Sequence, residues 1–220
     1  MDYEFDFAGL TPYYSDILNG LLLTLEITVA TTIIGVFTRI LGAACLIGNN
    51  KFLQKIVGGS VEVIRNTPFI VQLFFVFFGL PSLGVKLTAL EAGMLAMIIN
   101  LGAYSTEIIR AGLKSINKGQ WEAGKTLGLR WSQTFRHIIL PQAMKKVSPA
   151  LISQCIIVML GSSVLSQISA EELTFTVNFV QSRTFLSFES YFIITIIYLI
   201  LAVLMRFLLT SLSRRLFNKG

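Results

Sequence analysis

The chain has 220 residues, of which 54% are hydrophobic and only 14% charged, and 18 Lys and Arg against 12 Asp and Glu give a formal net charge of +6. Soluble domains carry about 25% charged residues. A mean hydropathy of +0.71 with long apolar runs therefore excludes an ordinary soluble domain and makes the bilayer the expected solvent.

The length allows one domain, 1–220. One histidine and two cysteines, Cys45 and Cys155, give no metal constellation, and both cysteines fall in apolar runs where they read as buried small hydrophobes. The N-terminal MDYEFDFAGL has acidic residues where a signal peptide carries Lys or Arg, so no cleavable signal is expected. Tyr13 and Tyr14 suit an interfacial aromatic belt, behind a short amphipathic stretch on the outer surface.

Hydropathy predicts an all-α integral membrane protein with about five spans near 17–45, 52–80, 87–113, 147–168 and 191–212. Pro81 and Gly84 mark a turn after the second span. Lys51 and Lys55 lie between the first two spans. Lys114, Lys118, Lys125, Arg130, Arg136, Lys145 and Lys146 lie between the third and fourth, and Arg214, Arg215 and Lys219 form the tail. With alternating spans all of these share one side, opposite Lys86 and Arg183, so the positive-inside rule places the N-terminus outside and the C-terminus inside. Asp2, Glu4, Asp6, Asp16, Glu171, Glu172 and Glu189 then gather outside.

The cytoplasmic segment 114–146 is predicted to hold two short helices. Asn117 caps the first, with Gln120 placed to complete a capping box and Glu122 in its early turns. Gly128 ends that helix in the left-handed conformation, Ser132 caps the second, and Pro141 breaks the pattern before the fourth span. Its apolar residues, among them Trp121, Leu127, Trp131 and Phe135, exceed what free solvent allows. The stretch GQWEAGKT, 119–126, also fits the phosphate-loop pattern G-x4-G-K-T. A phosphate loop needs a preceding strand and an open glycine-rich turn. Here a membrane helix precedes it and Gln-Trp-Glu-Ala favours a helix, so nucleotide hydrolysis by this chain is excluded.

The same segment resembles the signature loop of bacterial ATP-binding-cassette (ABC) importer permeases, E-A-A-x3-G-x9-I-x-L-P. Glu122, Ala123, Gly124, Gly128, Ile138, Leu140 and Pro141 keep every spacing, with Gly124 in place of the second alanine. The stretches NGLLLTLEITVATTIIG, IRNTPFIVQLFFVFFGLP, NLGAYSTEIIRAGLKSINKGQWEAGKTLGL and ILPQAMKKVSPALISQ are similar to the spans of the polar amino-acid (histidine/glutamine/glutamate-type) permeases. The resemblance implies a multi-pass subunit of the bacterial cytoplasmic (inner) membrane with no enzymatic activity of its own. Its coupling loop would dock on two cytoplasmic ATPase subunits that hold ATP and Mg. The remaining partners would be a second permease subunit, identical or homologous, an extracytoplasmic amino-acid-binding protein facing 169–189, and membrane lipid. No cofactor on this chain and no nucleic acid are expected.

Ionisable and amide groups inside spans are functional candidates, with helix-to-helix hydrogen bonds as the structural alternative. Glu26 lies in the first span, and the i,i+3 pairs Glu62–Arg65 and Glu107–Arg110 read first as ion pairs. Asn100, Gln154, Ser162 and Glu107 form the candidate substrate pathway, since the resemblance places polar side chains of the third and fourth spans near the substrate. Relatives carry K-D/N-T/S-S-L in the fourth span, where this chain has Leu160, Gly161, Ser162, Ser163 and Val164. The missing polar group favours a neutral or acidic amino acid, or a subunit that binds no substrate itself. The rival functions are an ion-gradient-driven secondary transporter, disfavoured by five spans without a repeat, and an ABC permease for another small polar solute.

Overall fold

The computed structural model describes residues 5–47 and 50–217, so Asp2, Glu4, Lys219 and the Cys45 side chain lie outside the described residues. The described residues form helices and turns. A 3-10 turn, Ala8–Tyr13, leads into α1, Tyr14–Ile47. Next come α2, Lys51–Arg65, and α3, Phe69–Phe74, prolonged by a π-turn and a 3-10 turn to Leu83. α4 is Ala89–Lys114, α5 Lys118–Thr126 and α6 Trp131–Thr134. α7 is Leu140–Gly161, α8 Leu173–Thr184 and α9 Ser187–Phe217.

α4 is the central helix: 61% of its apolar window is buried, against 6% for α9. Thr88 and Glu91 start it with a reciprocal capping box, Thr88 N–H donating to Glu91 Oε2 at 2.8 Å and Glu91 N–H to Thr88 Oγ1 at 3.2 Å. Glycines let neighbours approach it closely. A Cβ on Gly35 would meet Leu101, one on Gly102 would meet Thr38, and one on Gly42 would meet Thr106. These matches advance together along both chains, so α1 and α4 run parallel. A Cβ on Gly93 would meet Leu165 and one on Gly112 would meet Val147, so α7 runs antiparallel to α4. Ile27, Leu73, Met97, Leu101, Val158 and Leu165 form the core between these helices.

Parallel α1 and α4 require the segment between them to return across the bilayer. That segment is not the single span expected over 52–80. It breaks at residues 66–68 into Lys51–Arg65 and Phe69–Leu83, which turn by 111° and, taken as one broken span, bring the number long and apolar enough to cross a membrane from four to five. Three side chains brace the break by donating to carbonyls at the end of α2 and in the turn that follows. Asn66 Nδ2 donates to Glu62 O at 2.9 Å and Thr67 Oγ1 to Val63 O at 2.8 Å. Gln72 Nε2 donates to Ile64 O at 2.6 Å and to Thr67 O at 2.8 Å.

A second correction concerns Pro141, which does not separate the loop from the fourth span. A π-turn, Phe135–Ile139, absorbs it, and Trp131–Ile168 forms one helical rod of 38 residues. α8, which hydropathy did not signal, packs against α1 and α9: Leu173 N–H donates to Thr24 Oγ1 at 3.1 Å, and Tyr191 donates to Asn178 Oδ1 at 2.9 Å. The bundle therefore has an α5 end, carrying Lys51, Lys114 and Arg214, and an α8 end, carrying Lys86 and Arg183.

Candidate functional site

At the α5 end a helical hairpin crosses the bundle. Gly119 N–H donates to Asn117 Oδ1 at 2.8 Å, forming the expected cap. Gln120 does not complete the box, because its Oε1 accepts from Gln142 Nε2 at 3.2 Å and ties α5 to α7. Gly128, at φ 72°, terminates α5, with Leu129 N–H donating to Gly124 O at 3.0 Å. Ser132 is not the cap of α6; that position is Arg130, whose N–H donates to Gln133 Oε1 at 2.8 Å. Trp121, Trp131 and Phe135 stack between the two helices, with Trp131 and Phe135 only 4° from parallel at 5.2 Å.

The motif residues divide by direction. Glu122, Ala123, Gly128 and Pro141 are exposed. With them stand Leu127, 73% exposed, and Trp131, 59% exposed, which makes an apolar face carrying one carboxylate. Ile138 and Leu140 are half-buried and Gly124 is buried. A Cβ on Gly124 would collide with the Thr134 side chain, which explains why glycine replaces the motif's second alanine. Residues 119–126 lie inside α5, so their N–H groups serve the helix and form no phosphate cradle.

Midway along the bundle Asn100 is 9% exposed, and its Nδ2 donates to Gln72 Oε1 at 3.1 Å. Gln72, which the sequence reading passed over, thus links the break to α4. Its signal was a lone amide one turn past Asn-Thr-Pro in an apolar run. Gln154 is 7% exposed, and its amide makes no hydrogen bond among the described residues. Ser162 is fully buried, its hydroxyl donating to Met159 O at 2.6 Å inside its own helix. Beside Gly161 a Cβ would meet nothing within 4 Å, so the place of the missing polar group is open space.

Glu107 does not join these residues. It lies toward the α5 end, gripped by Arg110 through Nε at 2.7 Å and Nη2, in a cleft of about 690 Å3 between α2 and α4. Arg65 does not pair with Glu62 as expected. It approaches Glu107 at 4.0 Å and covers the Tyr104 ring at 5.5 Å, because the break swings the end of α2 toward α4. Glu26 is exposed on α1. Among the described residues no group of three His, Cys, Asp or Glu is placed to hold a metal.

At the α8 end two carboxylates expected on the outer surface are fully buried. Glu172 caps α8, accepting from Phe175 N–H at 2.9 Å and from the Tyr198 hydroxyl at 2.8 Å. Burial pushes its carboxyl above the usual Glu range, against the opposing pull of these hydrogen bonds. Glu189 accepts from Asp6 N–H at 2.9 Å and holds the N-terminal segment to α9.

Residues 32–218 match the family of binding-protein-dependent transport system inner membrane components. The chain belongs to this family. It is 33% identical to the arginine transport system permease protein ArtQ of Bacillus subtilis (strain 168) over 96% of this chain and 97% of that one. It is 32% identical to the probable glutamine ABC transporter permease protein GlnM of the same organism, over 96% and 95%. Among solved structures, an amino acid ABC transporter superposes with a TM-score of 0.89 at 35% identity, covering 97% of this chain and all of the other. The MetNI methionine ABC transporter shares the fold, with a TM-score of 0.71 at 20% identity over 93% and 97%. The chain is thus an inner-membrane ABC permease subunit, a membrane component that works with ATPase and permease partners, and the secondary-transporter alternative falls.

Proposed function

We propose that this permease imports a polar α-amino acid, neutral or acidic in preference to cationic, using ATP and Mg bound on two partner ATPase subunits. The observation that carries the substrate class is the similarity, over nearly the whole length, to permeases named for arginine and glutamine. The open space at Gly161 supports the charge preference, since a cation inside the bilayer requires a facing carboxylate. The buried amides of Asn100 and Gln154 line the path, Gln154 with its donors and acceptor available to substrate.

The basic α5 end faces the cytoplasm, so the chain begins outside and ends inside. There Glu122, Ala123, Leu127 and Trp131 dock on an ATPase subunit, while Gly124, Ile138 and Leu140 seat the hairpin and Gly128 with Pro141 shapes its two ends. At the outer end 169–189 receives an amino-acid-binding protein, with Phe185 83% exposed at φ 59°. A second permease subunit completes the pathway. In proteoliposomes carrying the assembled complex, Glu122→Arg is expected to reduce ATP-driven uptake to background while leaving membrane insertion and folding intact. Unchanged uptake would overturn the coupling assignment. Gly161→Asp is expected to raise competition by L-arginine relative to L-glutamine, and an unaltered ratio would overturn the substrate assignment.

A further inference from the structure

The cleft between α2 and α4 joins charges of both signs on a helix whose opposite face is apolar. Gln54, Gly58, Glu62, Arg65 and Asn66 line it from α2, and Tyr104, Glu107, Arg110 and Lys114 line it from α4. Phe52, Ile56 and Val63, 71%, 49% and 67% exposed, look away from it. Lipid or a partner is therefore met by the apolar side of α2, and the charged side encloses water, as charges at membrane depth require.

The charges are not mutually satisfied. Arg110 is occupied by Glu107, which it holds bidentately. Among the described residues Arg65 has only the distant contact to Glu107 at 4.0 Å and the Tyr104 face beneath it, which leaves the donors of its planar fork open to a ligand. The Tyr104 hydroxyl donates to Arg65 O at 3.1 Å and fixes the end of α2 on α4. One turn back, the exposed Glu62 carboxylate makes no ion pair among the described residues. Glu62 and Arg65 line the same cleft, with opposite charges one helical turn apart.

We propose that this cleft is a second amino-acid site, reached from the α5 side, which takes the α-carboxylate on Arg65 and the α-ammonium on Glu62. A phosphate or an anionic lipid headgroup fits the same cleft poorly, because Glu62 would repel it. The site is separate from the buried amides at Asn100 and Gln154. A ligand held on Arg65 and Glu62 occupies the space between α2 and α4, so it opposes any step of the cycle that closes the cleft. The inference rests on the amino-acid reading of the transporter.

The test uses the permease with its ATPase partners in nanodiscs, without binding protein, and measures equilibrium binding of radiolabelled L-glutamine and L-arginine. Glu62→Gln and Arg65→Gln are each expected to weaken binding about tenfold or more, since each removes a charge-assisted contact. N-acetyl-L-glutamine and L-glutamine α-amide are expected not to compete. In a Lys114→Cys variant, L-glutamine added from the α5 side is expected to slow labelling by an impermeant maleimide, a readout independent of the two substitutions. Indifference of affinity to both substitutions, equal competition by the N-acetyl compound, or displacement of the amino acid by phosphatidylglycerol would each overturn the site. Uptake by the wild-type complex with its binding protein is measured in parallel. Uptake with an indifferent cleft defeats this inference alone, whereas absence of any amino-acid uptake defeats the reading beneath it.

Discussion

Two prolines interrupt two membrane-crossing helices of this permease, Pro68 between α2 and α3 and Pro141 at the start of α7. At Pro68 the chain turns by 111°; at Pro141 it runs on through a π-turn. A proline removes one hydrogen bond and crowds the preceding turn in either place, so the difference lies in the neighbours. Asn66, Thr67 and Gln72 donate from their side chains to the carbonyls of Glu62, Val63, Ile64 and Thr67 around Pro68. Before Pro141 stand Ile138, Ile139 and Leu140, which have nothing to donate. The helix there keeps its course by widening through the π-turn. At Pro149, inside α7, the Ser148 hydroxyl donates to Lys145 O at 3.1 Å and the helix runs on, so side-chain donors accompany the break at Pro68 without being sufficient for one.

The comparison fails most visibly if Gln72 is dispensable. Gln72→Leu removes the side-chain donor from the Thr67 and Ile64 carbonyls and the acceptor from the Asn100 amide, and is expected to cost about 1–3 kcal/mol, read as thermal unfolding in detergent. Spin labels on α2 and α3 are expected to report a broadened distance in that variant. Next in size is Gly124→Ala, which drives a methyl group into Thr134 at the foot of the unbroken rod and is expected to cost about 1–3 kcal/mol by overpacking. Thr134→Ala in the same chain is expected to restore stability and uptake together; failure of that rescue would separate Gly124 from the packing of the hairpin.

The turn between the rod and α8 offers a third case, closed by a carboxylate instead of amides. Burial raises the Glu172 carboxyl above its ordinary value of 4.5. Its protonated form therefore favours the fold, and that contribution is complete below this ordinary value and is lost as pH rises through the raised one. Thermal stability in detergent is expected to fall over that range, and Glu172→Gln to flatten the slope. The smallest effect belongs to Pro141→Ala, expected to change stability by less than about 1 kcal/mol, since the rod is already continuous across the site.

Hydropathy averages made the bundle legible, because the bilayer imposes length on every span. They missed the break at 66–68, because Asn-Thr-Pro is too short to dent a twenty-residue average. They missed α8, whose mixed polar and apolar residues pack on α1, distant in sequence, and on α9, which follows it directly. Glu172 and Glu189 were read as surface acids because sequence shows charge and hides the N–H groups that draw a carboxylate inside. At the candidate site, the cap at Asn117, the left-handed Gly128 and the Glu107–Arg110 pair were readable locally. The approach of Arg65 to Glu107 and the bond from Asn100 to Gln72 were not, because both depend on where the break aims α2.

The unbroken rod has a mechanical meaning. At 1.5 Å per residue its 38 residues extend about 57 Å, nearly twice the hydrocarbon thickness of about 30 Å. With Trp131 docked on an ATPase subunit as proposed, the rod would act as a lever with its fulcrum inside the membrane. A displacement of a few ångströms delivered to Trp131 at one water surface would emerge at the other as a swing of similar size and opposite sense. Nothing between them has to fold, slide or melt.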